Sequence, residues 1–121
     1  KRQEILADLR GSLRAAQAAG MPPEQLWTDP GFGFGKTPAQ NLMLVRELSK
    51  IAALGHPVLL GTSRKSTLGL VLGEHDPLRR GAGNDVTAAW GIAQGCSMVR
   101  VHDVAAIRPV VRMADALRQA S

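Results

Sequence analysis

An α/β fold built on parallel strands is the class this sequence predicts, and three observations predict it. Short apolar runs recur at Leu26-Trp27-Thr28, Val58-Leu59-Leu60 and Met98-Val99-Arg100-Val101. Their spacing is roughly 30–40 residues, the length of a strand–helix–strand unit. Between them, apolar residues repeat at helical spacing. Each run also ends in polar groups: Asp29 after the first, Thr62-Ser63-Arg64-Lys65-Ser66 after the second, His102-Asp103 after the third.

The elements follow in order. Ile5, Leu6, Leu9, Leu13 and Ala16 form the stripe of a first helix, which Gly20 can stop before Pro22-Pro23 forces a loop. Strand one is expected over about Leu26–Asp29. Thr37 can cap the next helix and Pro38 suits its first turn. Leu42, Val45, Leu48 and Ala52 make its apolar stripe, closed by Gly55. Strand two is expected over Pro57–Gly61, then a short helix over Ser66–Leu72 and an exposed loop from Gly73 to Gly83. Asn84 or Asp85 can cap a helix running to Gln94, and strand three covers Ser97–Val101. Asp103 can cap a last helix carrying Ile107, Val110, Val111, Ala114 and Leu117 on one face, with Pro109 near its first turns.

The continuous apolar runs are those of buried parallel strands. Two architectures use such units, an open doubly wound sheet and a closed (β/α)8 barrel. Three strands complete neither. A barrel needs on the order of 250 residues, and its loops after the last strands often bind phosphate. These 121 residues would then be the C-terminal part of one, and 1–121 a piece of a single domain. The chain starts without Met, inside a charged helix and with no secretory signal pattern, as expected of a fragment or a processed chain.

Composition narrows the function classes. No run approaches the roughly 20 apolar residues of a membrane span. Cys96 stands alone, so neither an internal disulfide nor a multi-cysteine metal site is available, and a reducing, cytoplasmic setting is expected. The net charge of +5 comes from 15 basic and 10 acidic residues scattered along the chain, and only 3% of residues are aromatic. That pattern suits a small anionic ligand better than a nucleic acid.

The polar strand ends carry the chemistry. Asp29 opens the loop Asp29-Pro-Gly-Phe-Gly-Phe-Gly-Lys36, whose glycines allow a flat ligand close to the backbone. A carboxylate there can accept two parallel N–H bonds from an aminopyrimidine edge; the plainer reading is a turn-forming Asp before Pro. The loop has neither phosphate-loop spacing nor the dinucleotide pattern. Lys65 can donate to a carbonyl or neutralise an anion, or be a solvated surface lysine. Arg64 then points elsewhere, toward a structural salt bridge. Arg100 and His102, two apart in an extended segment, face one way and make an anion site, although His102 also fits a hydrogen-bonded core histidine. His56 and His75 read as loop residues, and the three histidines have no metal-ligand spacing. Ser63 lacks a nucleophile elbow. The residues taken together suit a flat nitrogen heterocycle bearing a phosphate or diphosphate.

At three stretches, Asp29-Pro-Gly-Phe-Gly-Phe-Gly-Lys36, Ser63-Arg64-Lys65-Ser66 and Arg100-Val101-His102-Asp103, the sequence resembles the dihydropteroate synthase family. The motifs match in order and spacing, and the resemblance covers nearly the whole chain. It implies a (β/α)8 barrel, of which this chain matches helix five through helix eight. It also implies a cytoplasmic, dimeric transferase of folate biosynthesis. That enzyme joins p-aminobenzoate to 6-hydroxymethyl-7,8-dihydropterin diphosphate, with Mg2+ carried mainly on the diphosphate.

By motif position, the resemblance gives Asp29, Lys65 and Arg100 the pterin and the catalytic roles. Arg100 and His102 take the diphosphate. Gly33, Phe34, Ser63, Lys65 and Ser66 take p-aminobenzoate, where sulfonamides compete. Two departures stand out: Thr67 replaces a usual larger apolar residue, and Gly83-Asn84-Asp85 a usual Gly-Ser or Gly-Thr helix start. The family's first five strands, with a further pterin-binding Asp and Asn, the first diphosphate and Mg2+ ligand and two mobile loops, have no counterpart in these residues. The competing readings are a non-catalytic pterin-binding homologue or fragment, and a folate- or corrinoid-type pterin methyltransferase. An open partial barrel exposes an apolar edge, so a homodimer or association with the missing half is expected.

Overall fold

A computed structural model describes residues 2–33 and 36–120. Helix α1 (Arg2–Ala18) leads through a short 3₁₀ turn, Pro23–Gln25, to an extended segment at Thr28. Helices α2 (Pro38–Arg46) and α3 (Leu48–Ala52) precede strand β1 (Leu59–Leu60). Helix α4 (Ser66–Leu72), a second 3₁₀ turn (Pro77–Arg79) and helix α5 (Gly81–Ala93) lead to strand β2 (Met98–Val99), and helix α6 (Val104–Gln119) follows it.

The strands are parallel, with Leu59 opposite Met98 and Leu60 opposite Val99. The first expected strand is reduced to one parallel bridge, Thr28 to Val58. Its bonds are full: Thr28 N–H donates to the Pro57 carbonyl at 2.9 Å and Leu59 N–H to the Thr28 carbonyl at 2.8 Å. The spatial order is thus Thr28, β1, β2, the same as the sequence order. The chain crosses between neighbours through helices, as in a barrel wall.

One face of this sheet packs on the helices. Val58 and Leu60 sit in a cluster with Leu44, Leu48, Ile92 and Cys96, and Ile5, Leu6 and Leu9 of α1 lie against it. The other face is open, a departure from the two-sided burial expected of the runs. Leu26, Thr28 and Pro30 are buried while Trp27 and Asp29 between them are exposed. Period-two alternation puts Trp27 and Asp29 on the face that a barrel would enclose.

Three further expectations are corrected. The helix after Thr37 is broken at Glu47, whose φ of −112° and ψ of 27° leave the helical region. Its inward stripe is Asn41, Leu44, Val45, Leu48 and Ile51, and Leu42 points out. The helix expected to start at Asn84 or Asp85 begins at Gly81, so Asn84 is an interior, buried residue. Other local signals hold. Thr37 and Gln40 form a reciprocal capping box and Asp103 accepts from the Ala106 N–H.

Cys96 is buried in the turn between α5 and β2, and burial pushes its thiol up to about 11. Thiol alkylation at pH 8 is therefore expected to run about 100-fold slower than for a free cysteine, recovering in denaturant. Labelling of the native protein at the free-thiol rate would contradict this packing.

Candidate active site

The ends of the three extended segments meet at one edge of the sheet. Asp29 divides its carboxylate between two tasks. Oδ1 accepts from the Gly31 N–H at 2.9 Å, forming the local turn. Oδ2 lies 3.9 Å from Nη1 of Arg100, across β1. Both side chains keep solvent access, so this pair is a loose ion pair open to a ligand rather than a structural staple.

Gly61, just past β1, makes room for Arg100. A Cβ there would lie 2.8 Å from Nη2 and 3.1 Å from Cζ of the guanidinium. Arg100 therefore lies flat on bare backbone at the strand end, next to the Asp29 carboxylate. His102 is exposed, which removes the core-histidine alternative. Its Nδ1 is 2.8 Å from Oγ of Ser63, and its backbone N–H also donates to that oxygen at 3.3 Å. Ser63 is 8% exposed and binds the ends of β1 and β2 together while orienting the imidazole.

Lys65 follows Arg64, a non-glycine residue with positive φ, at 60°. That turn is clamped from outside. Arg80 donates from Nη1 to the Arg64 carbonyl at 2.8 Å, from Nε to Glu74 O at 3.2 Å and from Nη2 to His75 O at 3.0 Å. The salt bridge expected of Arg64 is not among the ion pairs of the described residues. The contribution of Arg64 is its carbonyl and its unusual φ, which turn the next side chain inward.

Lys65 Nζ donates to the Phe32 carbonyl at 2.6 Å and sits 5.8 Å from the centre of the Phe32 ring. Burial holds its ammonium below the ordinary lysine range, Arg100 and Lys36 push the same way, and Asp29 opposes them. Gly33, at φ +85°, lies so close that a Cβ there would meet Lys65 Cδ at 3.0 Å. Lys36 Nζ donates to Gly31 O at 2.9 Å and closes the other side of the loop. Ser66 is exposed at the start of α4. Phe34 lies outside the described residues.

Asp29, Ser63, Lys65, Arg100 and His102 are thus gathered at one edge, and Gly33 lines it. Three contributors escaped sequence reasoning. Arg80 is one. Thr62, buried beside the site, is another: it bonds to Thr87 at 2.6 Å and reaches Asn84 at 3.4 Å, tying β1 to α5. Asn41 is the third, and its signal was a polar residue in phase with an apolar helix stripe. No cluster of three metal-ligating side chains occurs among the described residues.

A carboxylate, an inward lysine and an Arg–His pair thus stand together at the ends of parallel strands, where barrel-type α/β proteins carry their sites. The chain belongs to the family described as pterin binding enzymes, whose pattern matches residues 2–102. It is 46% identical over 118 residues to a dihydropteroate synthase of Synechocystis, covering 94% of this chain and 41% of that protein. It superimposes on a Coxiella burnetii dihydropteroate synthase solved with pteroic acid at a TM-score of 0.95 and 34% identity, covering 98% of this chain and 44% of the other. A Xanthomonas albilineans dihydropteroate synthase solved with 4-aminobenzoic acid matches at a TM-score of 0.94 and 36% identity, with 98% and 44% covered. The fold is therefore part of a (β/α)8 barrel, and the chain spans less than half the length of these relatives.

Proposed function

We propose that these residues form the C-terminal part of the active site of a dihydropteroate synthase. The observation that carries the reading is the convergence of Asp29, Lys65 and the Arg100–His102 pair at one sheet edge, in the order of the family's motifs. In this reaction the amine nitrogen of p-aminobenzoate attacks the exocyclic methylene of the dihydropterin. The carbon–oxygen bond to diphosphate breaks, diphosphate leaves with the bonding electrons, and the amine gives up one proton. No covalent enzyme intermediate is needed, so catalysis is positioning and charge stabilisation.

Asp29, with one oxygen turned toward the open face, accepts from the amino and ring N–H edge of the pterin. Lys65 donates to pterin ring acceptors. Its second partner, the Phe32 carbonyl, keeps it beside the glycine loop when no substrate is there. Arg100 stacks its guanidinium plane over the heterocycle and reaches the diphosphate with His102. Ser63 orients His102, and Gly33, Phe34 and Ser66 border the p-aminobenzoate position.

Arg100, His102 and Ser63 suit an anion and not a bare cation. These residues hold diphosphate and form no Mg2+ cage. Mg2+, bound through the diphosphate and the rest of the barrel, would offset charge on the leaving group. The open sheet face, with Trp27 47% and Met98 51% exposed, calls for the remaining barrel strands. The exposed apolar residues Met113 and Leu117 on α6 suit a homodimer.

The test is formation of dihydropteroate from dihydropterin diphosphate, p-aminobenzoate and Mg2+, first by this chain alone and then with the first five barrel strands supplied. Turnover is expected once those strands are supplied, competitively inhibited by free diphosphate. A pterin methyltransferase releases no diphosphate and would be indifferent to it. Absence of turnover in both preparations, with pterin binding intact, would make the protein a non-catalytic pterin binder.

A further inference from the structure

We propose that Asn41 and Thr67 are a buried positioning pair that locks the glycine loop to the start of α4, and so sets affinity for p-aminobenzoate far more than for the pterin. The proposal rests on the dihydropteroate synthase reading for its substrate, and on bond geometry for the pair itself. Asn41 Oδ1 accepts from the Gly33 N–H at 2.8 Å, and Asn41 Nδ2 donates to Thr67 Oγ1 at 2.9 Å. Both side chains are 2% exposed.

The amide is suited to the task because it must do two opposite things. The Gly33 N–H can only donate, which fixes the acceptor end of Asn41 toward the loop. The donor end then faces α4 and needs an oxygen there. Thr67 supplies it, where the resembling family usually has a larger apolar side chain. An apolar residue at 67 would leave Nδ2 of Asn41 buried without this acceptor.

The two segments so joined are those that border p-aminobenzoate. Gly33 is one anchor, and Thr67 directly follows Ser66 on the other. Lys65 closes a ring between them by donating to Phe32 O at 2.6 Å, while its Cδ packs against bare Gly33. A loop shift therefore moves the p-aminobenzoate border first. Asp29, Arg100 and His102 are held by other contacts, to Gly31, Gly61 and Ser63.

Asn41→Leu, Thr67→Val and Thr67→Ser decide the matter in the assembled enzyme. Loss of the clamp is expected to raise KM for p-aminobenzoate about tenfold in Asn41→Leu and Thr67→Val. KM for dihydropterin diphosphate should stay within about twofold, and Thr67→Ser, which keeps the oxygen, should stay near wild type. Hydrogen exchange at the Gly33 amide should rise about tenfold or more in the first two variants only. Equal changes in both KM values, or identical behaviour of the Val and Ser variants, would overturn the proposal. Should Asn41→Leu fail to fold, the milder pair at 67 still decides. If wild type makes no dihydropteroate, Gly33 exchange and direct p-aminobenzoate binding test the clamp apart from turnover. Unchanged exchange in Thr67→Val then refutes it.

Discussion

Under the proposed function, Lys65→Met is expected to reduce turnover of the assembled enzyme by about 100- to 1,000-fold, the usual cost of removing one preorganised donor from an active site. Methionine keeps most of the stem that packs on Phe32 and Gly33 and removes only the ammonium. Stability should behave differently from activity. Burial, Arg100 and Lys36 lower the folded-state pKa of Lys65 below its ordinary 10.5. Between that lowered value and 10.5 the unfolded chain holds a proton that the folded chain has released, so this group makes stability rise with pH across that window. Below the window the charged lysine is a burden on the fold. Lys65→Met should therefore be at least as stable at neutral pH, and its alkaline profile should lack the rise. Urea midpoints measured from pH 7 to 11 give the comparison. A variant that loses stability at pH 7 together with activity would show that Lys65 is structural.

The strand ends could be read in the sequence because charged residues directly after a buried strand sit where a parallel sheet gathers its ligand-binding groups. Asp29, Lys65, Arg100 and His102 were legible as separate positions, and their convergence followed once parallel order was assumed. Helix stops and caps at Gly20, Thr37 and Asp103 were legible too, since they depend on neighbours in sequence. Contacts that join distant elements were not. Arg80 reads as half of an adjacent basic pair, yet its guanidinium is used on three backbone carbonyls. Asn84 carries a capping side chain, but the helix starts three residues earlier and buries it near Thr62. Periodicity alone misphases the stripe of α2, because it counts Asn41 as polar and therefore outward. A polar side chain with two good partners is as buried as a leucine. The open face is hidden by a different effect. A run such as Leu26-Trp27-Thr28 has the same composition whether one side or both are covered.

Gly61→Ala is the second large effect, and it separates site geometry from fold. The new methyl would meet atoms of Arg100 at 2.8 and 3.1 Å, tighter than packing allows. Those atoms are the far end of a flexible side chain more than half exposed, so Arg100 swings away and the backbone stays. Thermal stability should change little. Under the proposed function the cost falls on activity, because a displaced guanidinium would neither lie over the heterocycle nor reach the diphosphate beside His102. A charge-assisted bond is worth about 1.5–3 kcal/mol, which corresponds to roughly a 10- to 150-fold loss in kcat/KM. Arg100→Ala should lose at least as much, and adding Gly61→Ala to it should cost almost nothing more, since both changes act through one side chain. Additive losses in that cycle would mean that Gly61 serves the site in some way besides admitting Arg100. The same logic accounts for the bare position after β1: the strand end is a floor on which the Arg100 side chain can lie.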